Sequence, residues 1–145
     1  MDSRQFQTVK IAGTAGLVIA PVASSADTPV VSAVIDRLGY NSLLVVINSA
    51  AATGGTVTLT PSIVEGDSTS PVTAVTLNTT CAIHDCAAAG AELYQFDLEG
   101  MNRYIKITVT PVHGSSGTAT FSCSAILGSP RLDPPVAATV YSKST

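Results

Sequence analysis

The segment Cys81-Ala82-Ile83-His84-Asp85-Cys86 places two thiols, an imidazole and a carboxylate within six residues. Thiolates and neutral imidazoles are the donors that zinc takes, and a loop can bring them to one point. Cys81, His84 and Cys86 are therefore the chain's metal candidates. A structural zinc site, however, needs four ligands in a tetrahedral array. The C-x2-H-x-C spacing matches no standard ligand pair. Cys123 would be a fourth ligand only if its strand ran alongside. The preferred reading is blander: two loop thiols, a Cys81–Cys86 disulfide being one form they could take, with His84 exposed and no metal or other cofactor bound.

Nucleophilic catalysis fares no better. His84 or His113 could be combined with many Ser and Asp residues, and that freedom removes the meaning, because a triad is defined by geometry. No G-x-S-x-G elbow is present. His113, beside Gly114-Ser115-Ser116-Gly117, reads as a turn residue in solvent. Most acidic residues fall in turns, where solubility accounts for them. There is no phosphate loop and no dinucleotide fingerprint. The expectation is a protein that is not an enzyme. Asn78-Thr79-Thr80 is an N-x-T acceptor, relevant only to a chain secreted by a eukaryote.

The elements that must hold these residues are strands. Val30–Asp36 and Leu43–Ile47 read as strands, the second short and buried on both faces. Thr56–Val64 alternates Val57, Leu59, Pro61 and Ile63 against Thr56, Thr58, Thr60 and Ser62. Glu65–Pro71 reads as an exposed turn, Val72–Leu77 as the next strand, and Asn78–Gly90 as a longer loop or helical turn. Leu93–Leu98 resumes strand character. Arg103–Val112 alternates Ile105, Ile107 and Val109 against Tyr104, Lys106 and Thr108. Residues 112–117 would then turn it into a hairpin partner, Thr118–Leu127, where Cys123 faces the core as a small apolar residue. Seven or eight short strands at roughly 8–12-residue spacing predict an all-β fold, a β-sandwich or jelly roll.

Composition adds what the surface must be like. Of 145 residues only 12% are Asp, Glu, Lys or Arg, about half the usual share. Leu38–Val64 and Ile107–Pro130 contain none. A free protein so poor in charge risks self-association, so part of the surface is expected to be covered in a larger assembly. The seven basic residues are scattered rather than grouped, which argues against nucleic acid. Ile11–Ala26 is charge-free but too short for the ~20 apolar residues of a membrane span, and Pro21 interrupts it. It resembles a signal peptide, yet Gly13, Thr14 and Gly16 dilute its apolar run and Asp2 precedes it. The organisation expected is an extended N-terminal arm over 1–28 that lies on a partner, a sandwich over 29–128, and a Pro-rich tail over 129–145 with one edge strand, Val136–Tyr141.

Three segments carry a resemblance. Ala33-Val34-Ile35-Asp36-Arg37-Leu38-Gly39-Tyr40-Asn41-Ser42-Leu43, then Leu98-Glu99-Gly100-Met101-Asn102-Arg103-Tyr104-Ile105-Lys106-Ile107, then Ala125-Ile126-Leu127-Gly128-Ser129-Pro130-Arg131 together resemble small head proteins of tailed bacteriophages. The likeness lies in their order and spacing over about residues 30–135, and Asn78–Gly90 is not part of it. It implies a capsid decoration (cement) protein on the virion exterior, its partners the major capsid protein and further copies of itself, a homotrimer being the favoured state. A head–tail connector or tail subunit is the alternative within the same particle. A secreted carbohydrate-binding sandwich ranks below both, since Trp is absent and aromatic residues are 5%. Within these segments Asp36 is placed to accept amides of the following turn, Gly39 to take a positive φ, and Arg103 to pair with Asp36 or Glu99.

Overall fold

The computed structural model of the protein describes residues 9–128 and 140–144, with the backbone alone for 9–16 and 140. Alternation makes its longest inner strands. In β5 (Val57–Gly66) the side chains of Val57, Leu59, Pro61 and Ile63 are buried, and in β9 (Tyr104–His113) those of Ile105, Ile107 and Val109. Successive side chains point to opposite faces of a strand, so each strand turns one apolar row inward. The other strands are β1 (Val9–Ser24), β2 (Val30–Val31), β3 (Ile35–Asp36), β4 (Ser42–Ser49), β6 (Thr73–Ala74), β7 (His84–Asp85), β8 (Gly90–Asp97), β10 (Ala119–Gly128) and β11 (Val140–Ser142).

They form two sheets of a β-sandwich, and no helix occurs among the described residues. One sheet has the order β1-β10-β4-β8-β11. The other has the order β2-β9-β5-β6, with β3 also on β9 and β7 also on β5. Between them lies one core that includes Leu43, Val45 and Ile47 of β4, Tyr94 and Phe96 of β8, and Phe121, Cys123, Ala125 and Leu127 of β10. Burying a side chain of this size stabilises the fold by about 1.5–3 kcal/mol, which is how a chain so poor in charge and aromatics holds together.

Several expectations need correction. Residues 9–24, expected to be part of an arm lying on a partner, form β1 and pair with β10 of the same sheet. Val18 and Ile19 belong to the core; residues 1–8 lie outside the described residues. Residues 30–36 are two short strands rather than one. Between them the buried Ser32 turns its hydroxyl to the ladder and accepts the Ile107 amide at 2.9 Å. Strand β4 is not buried on both faces, since Leu44 and Val46 are half-exposed. Of the strand expected over Val72–Leu77 only β6 forms, and Val72 is 83% exposed.

β9 and β10 are not a hairpin either: they lie in different sheets. The turn between them is a corner packed on residues 55–57. A Cβ on Gly114 would stand 2.3 Å from Thr56 Oγ1, and one on Gly117 2.8 Å from the Thr56 carbonyl. Those glycines allow the backbone approach that carries the chain from one sheet to the other. Of the expected tail, residues 129–139 lie outside the described residues, and an edge strand is present as β11, parallel to β8.

Candidate functional site

Cys81, His84 and Cys86 are brought inside the sandwich rather than onto its surface. β7 adds His84 to β5 opposite Leu59. The Cys86 amide donates to the Val57 carbonyl at 3.0 Å, and the Ala52 amide donates to the Cys86 carbonyl at 2.8 Å. Tyr94 donates its hydroxyl to the Ala82 carbonyl at 3.0 Å, while the Ala82 amide donates to the Tyr141 hydroxyl, also at 3.0 Å. The segment is stitched onto the second sheet beside β5, with Cys81, His84 and Cys86 turned inward and Ala82, Ile83 and Asp85 left exposed. His84, expected in solvent, is 6% exposed.

The three cysteines are free and buried, so the Cys81–Cys86 disulfide does not form. Burial disfavours the thiolate. It pushes Cys81 up to about 11, raises Cys86, and pushes Cys123 up to about 12. Among the described residues, no group of three or more His, Cys, Asp or Glu side chains is arranged to hold a metal ion. Alkylation with iodoacetamide at pH 8 is expected to leave all three thiols of the native chain unmodified and to modify all three after denaturation. Rapid labelling of two in the native state would show a reactive pair instead, and about one zinc per native chain would restore the metal reading.

His84 does make a suggestive line. Its Nε2 shares a 2.7 Å hydrogen bond with Ser49 Oγ, and its Nδ1 lies 3.9 Å from Glu92 Oε2. Hydroxyl, imidazole and carboxylate stand in the order of a hydrolase triad, but the last gap exceeds hydrogen-bond reach. Ser49 is at 8% exposure, on the inward row of β4 with Leu43, Val45 and Ile47. The arrangement joins one sheet to the other, with β4 supplying the hydroxyl and β7 the imidazole. It acts as a polar pin inside the core.

The three segments of the resemblance converge at one end of the sandwich. Arg103 grips Asp36 with two parallel bonds, Nε to Oδ1 at 2.9 Å and Nη2 to Oδ2 at 2.7 Å, and lies over the Tyr104 ring. Asp36, not Glu99, is thus the partner of Arg103, and Asp36 also accepts the Leu38 amide at 3.1 Å. Arg37 donates from Nε to the Asn102 carbonyl at 2.8 Å, from Nη1 to the Tyr40 carbonyl at 3.3 Å, and from Nη2 to the Met101 carbonyl. Gly39 and Gly100 supply the positive φ of the two turns, at 84° and 76°. The third segment joins through Gly128, whose carbonyl accepts the Asn41 amide at 3.3 Å.

Behind this corner sits a residue that sequence reasoning misplaced in an exposed turn. Glu65 is 3% exposed. Its Oε2 accepts the Asn102 amide at 2.6 Å and its Oε1 the Lys143 ammonium at 2.6 Å. No local signal marks it, because both partners are distant in sequence. His113 was misplaced in the same way: its side chain is 5% exposed. Its Nδ1 is 2.8 Å from Asp27 Oδ1 and its Nε2 is 3.2 Å from the Ser24 carbonyl, so it clamps the end of β1.

The hydrogen bonds from His113 hold the Asp27 carboxyl below its usual 3.8. A lowered carboxylate value means that this clamp is complete above about pH 4 and is lost as the pH falls through the lowered value. Asp27→Asn is accordingly expected to speed amide exchange at Ala23–Thr28 at neutral pH while leaving exchange in β5 and β9 unchanged. Uniform exchange across the chain would contradict a local clamp.

The two outer faces differ in chemistry. On the β1-β10-β4-β8-β11 sheet, Leu44 is opposite Ile126 and Val46 is opposite Leu93. Leu93 is 57% exposed and the other three are half-exposed, a charge-free apolar band across three strands. On the other sheet, Thr58, Thr60 and Ser62 face Val112, Thr110 and Thr108 across β5 and β9. Comparison with known proteins gives no family: no family model matches the chain, and no curated protein matches it.

Proposed function

We propose that the chain is a virion structural protein, a capsid decoration protein that binds the major capsid lattice of a tailed bacteriophage from outside. The observation that carries this reading is the convergence of the three segments that resemble phage head proteins. Far apart in sequence, they meet as one hydrogen-bonded corner built on Asp36, Arg37, Asn41, Arg103 and Gly128. The corner's charged groups are turned to backbone carbonyls and to one another, an arrangement that suits a scaffold.

The surface supports the same role. A band of Leu44, Val46, Leu93 and Ile126 without charge suits the core of a protein interface, where charged residues are depleted. Many copies on a repeating lattice need only modest affinity each, because avidity multiplies it. A homotrimer remains our expectation for the bound state. The test is co-sedimentation of the purified full-length chain with heads assembled from the major capsid protein. Saturable binding of hundreds of copies per head is the expected result; no binding to heads, or binding of about six or twelve copies, would overturn it. Removing residues 1–24 would take β1, with Val18 and Ile19, out of the sandwich. That truncation is expected to unfold the domain rather than only weaken binding.

A further inference from the structure

Residues 25–29 carry the chain from β1 in one sheet to β2 in the other, and all of them are exposed. Inside this crossing the Thr28 amide donates to the Ala26 carbonyl at 2.7 Å, and the Ser24 hydroxyl donates to the same carbonyl at 3.1 Å. Those bonds are local. What fastens the crossing to the second sheet, among the described contacts, is His113 at the end of β9. Its amide donates to Asp27 Oδ1 at 2.8 Å, and its ring reaches both Asp27 and the Ser24 carbonyl.

The partners of the ring dictate where its hydrogens are. Nε2 is 3.2 Å from the Ser24 carbonyl, which can only accept, so Nε2 carries a hydrogen. Nδ1 is 2.8 Å from Asp27 Oδ1, the oxygen that already takes the His113 amide hydrogen. The Asp27 side chain is 61% exposed, and the bonds from His113 hold its carboxyl below the usual 3.8. It is therefore an ionised acceptor at neutral pH, and Nδ1 donates to it as well. An imidazole that donates from both nitrogens is the cation. His84 differs: its Nε2 meets the Ser49 hydroxyl, which can donate or accept, so nothing there fixes its charge.

From these two acceptors we infer that His113 is held as the imidazolium and is a pH-sensitive latch between the sheets. It is closed while both nitrogens carry hydrogen and opens as rising pH removes one of them to solvent. A neutral ring must turn a bare lone pair toward either the Ser24 carbonyl or the Asp27 carboxylate, and the bond there gives way to repulsion. Histidine is the side chain suited to such an exchange near neutral pH. Asp27 is the one charged group that meets the ring among the described contacts. β5 places Val57 opposite it, β1 contributes the Ser24 carbonyl, and residues 114–117 hold no ionisable side chain. The closed latch binds the proton, so it is favoured at low pH and weakens as the pH rises. The carboxylate sets the acid limit of the clamp, and the imidazolium sets a second, alkaline one. The inference goes beyond the proposed function, since it concerns how the sheets are joined and holds whatever surface the chain covers.

The test uses the full-length chain labelled with nitrogen-15. Ring-nitrogen NMR reads the two histidines, and amide-exchange protection is measured at each step from about pH 5 to about pH 9. His113→Gln identifies the His113 signals and removes the latch. In the parent, both His113 nitrogens are expected to be protonated wherever residues 23–28 are protected. Protection there should fall about three- to tenfold as one nitrogen loses its hydrogen, while β5 stays protected. In His113→Gln, protection at residues 23–28 should be low throughout, with no pH step. A bare ring nitrogen in the parent while residues 23–28 remain fully protected would overturn the inference. So would loss of the ring proton with no change at residues 23–28, or a step in His113→Gln equal to that of the parent. Should His113→Gln fail to fold, the parent's own pH series still decides. None of these outcomes depends on capsid binding.

Discussion

Tyr141→Ala should cost about 3–5 kcal/mol of folding stability, the range for removing a large buried aromatic from a core. The ring stands against Tyr94 and Phe96, and its hydroxyl accepts the Ala82 amide. Truncation leaves a void beside two rings and strands an amide near the thiol segment. Burial raises the Tyr94 hydroxyl, so that group stays a neutral donor to the Ala82 carbonyl and cannot compensate. Tyr141→Phe separates the two contributions: it keeps the ring and should cost about 1 kcal/mol for the lost acceptor. Urea unfolding followed by circular dichroism measures both. A Tyr141→Ala midpoint close to that of the parent would show that the C-terminal strand contributes little to the core.

Lys143→Met is expected to be the next most damaging change, at about 3 kcal/mol, and to cost more than Glu65→Gln. The asymmetry follows from burial. Glu65 has a side-chain exposure of 4% and Lys143 of 36%. Removing the lysine leaves a buried carboxylate with the Asn102 amide as its one remaining donor among the described contacts, and stranding one partner of a buried pair costs roughly 3–5 kcal/mol. The low end of that range applies because the amide stays. Removing the carboxylate instead lets the lysine head return to water, and the glutamine oxygen can still accept from Asn102, so about 1–2 kcal/mol is expected. The same denaturation series reads the difference. Equal losses, or a larger loss for Glu65→Gln, would contradict this account of the pair.

What was legible in the sequence was whatever a strand states locally. Val57 to Ile63 and Ile105 to Val109 announce their inward faces by alternation, and the structure buries them as read. Cys123 was placed correctly for the same reason. β1 was not legible, because its pairing with β10 slips between Ala12 and Leu17, Leu17 and Ile19, and Ile19 and Val22. Around the slip between Leu17 and Ile19 the successive residues Val18 and Ile19 are both buried, so no period of two survives there. A turn made of Gly114-Ser115-Ser116-Gly117 suits a hairpin and an inter-sheet corner equally. Only the close packing of both glycines on Thr56 decides between them.

The polar residues were the hardest to place. His84, His113 and Glu65 carry polar side chains in loop-like surroundings, and exposure is the natural expectation for them. Each is instead buried against a partner remote in sequence: Ser49, Asp27 and Lys143 respectively. Buried polar groups are expected to be paired, and here every pair ties one part of the sandwich to another. The exposed charge pair Asp36–Arg103 was foreseeable, because both residues stand at strand ends in segments with a recognisable pattern.

The proposal that the chain decorates a phage head is tested most directly by low-resolution image reconstruction of tailed-phage particles. The account predicts separate protrusions repeated over the outer surface of the head at lattice positions, in hundreds of copies, each large enough for one or a few 14.7 kDa chains. Density for the chain at one vertex or along the tail, or its absence from the particle, would contradict it.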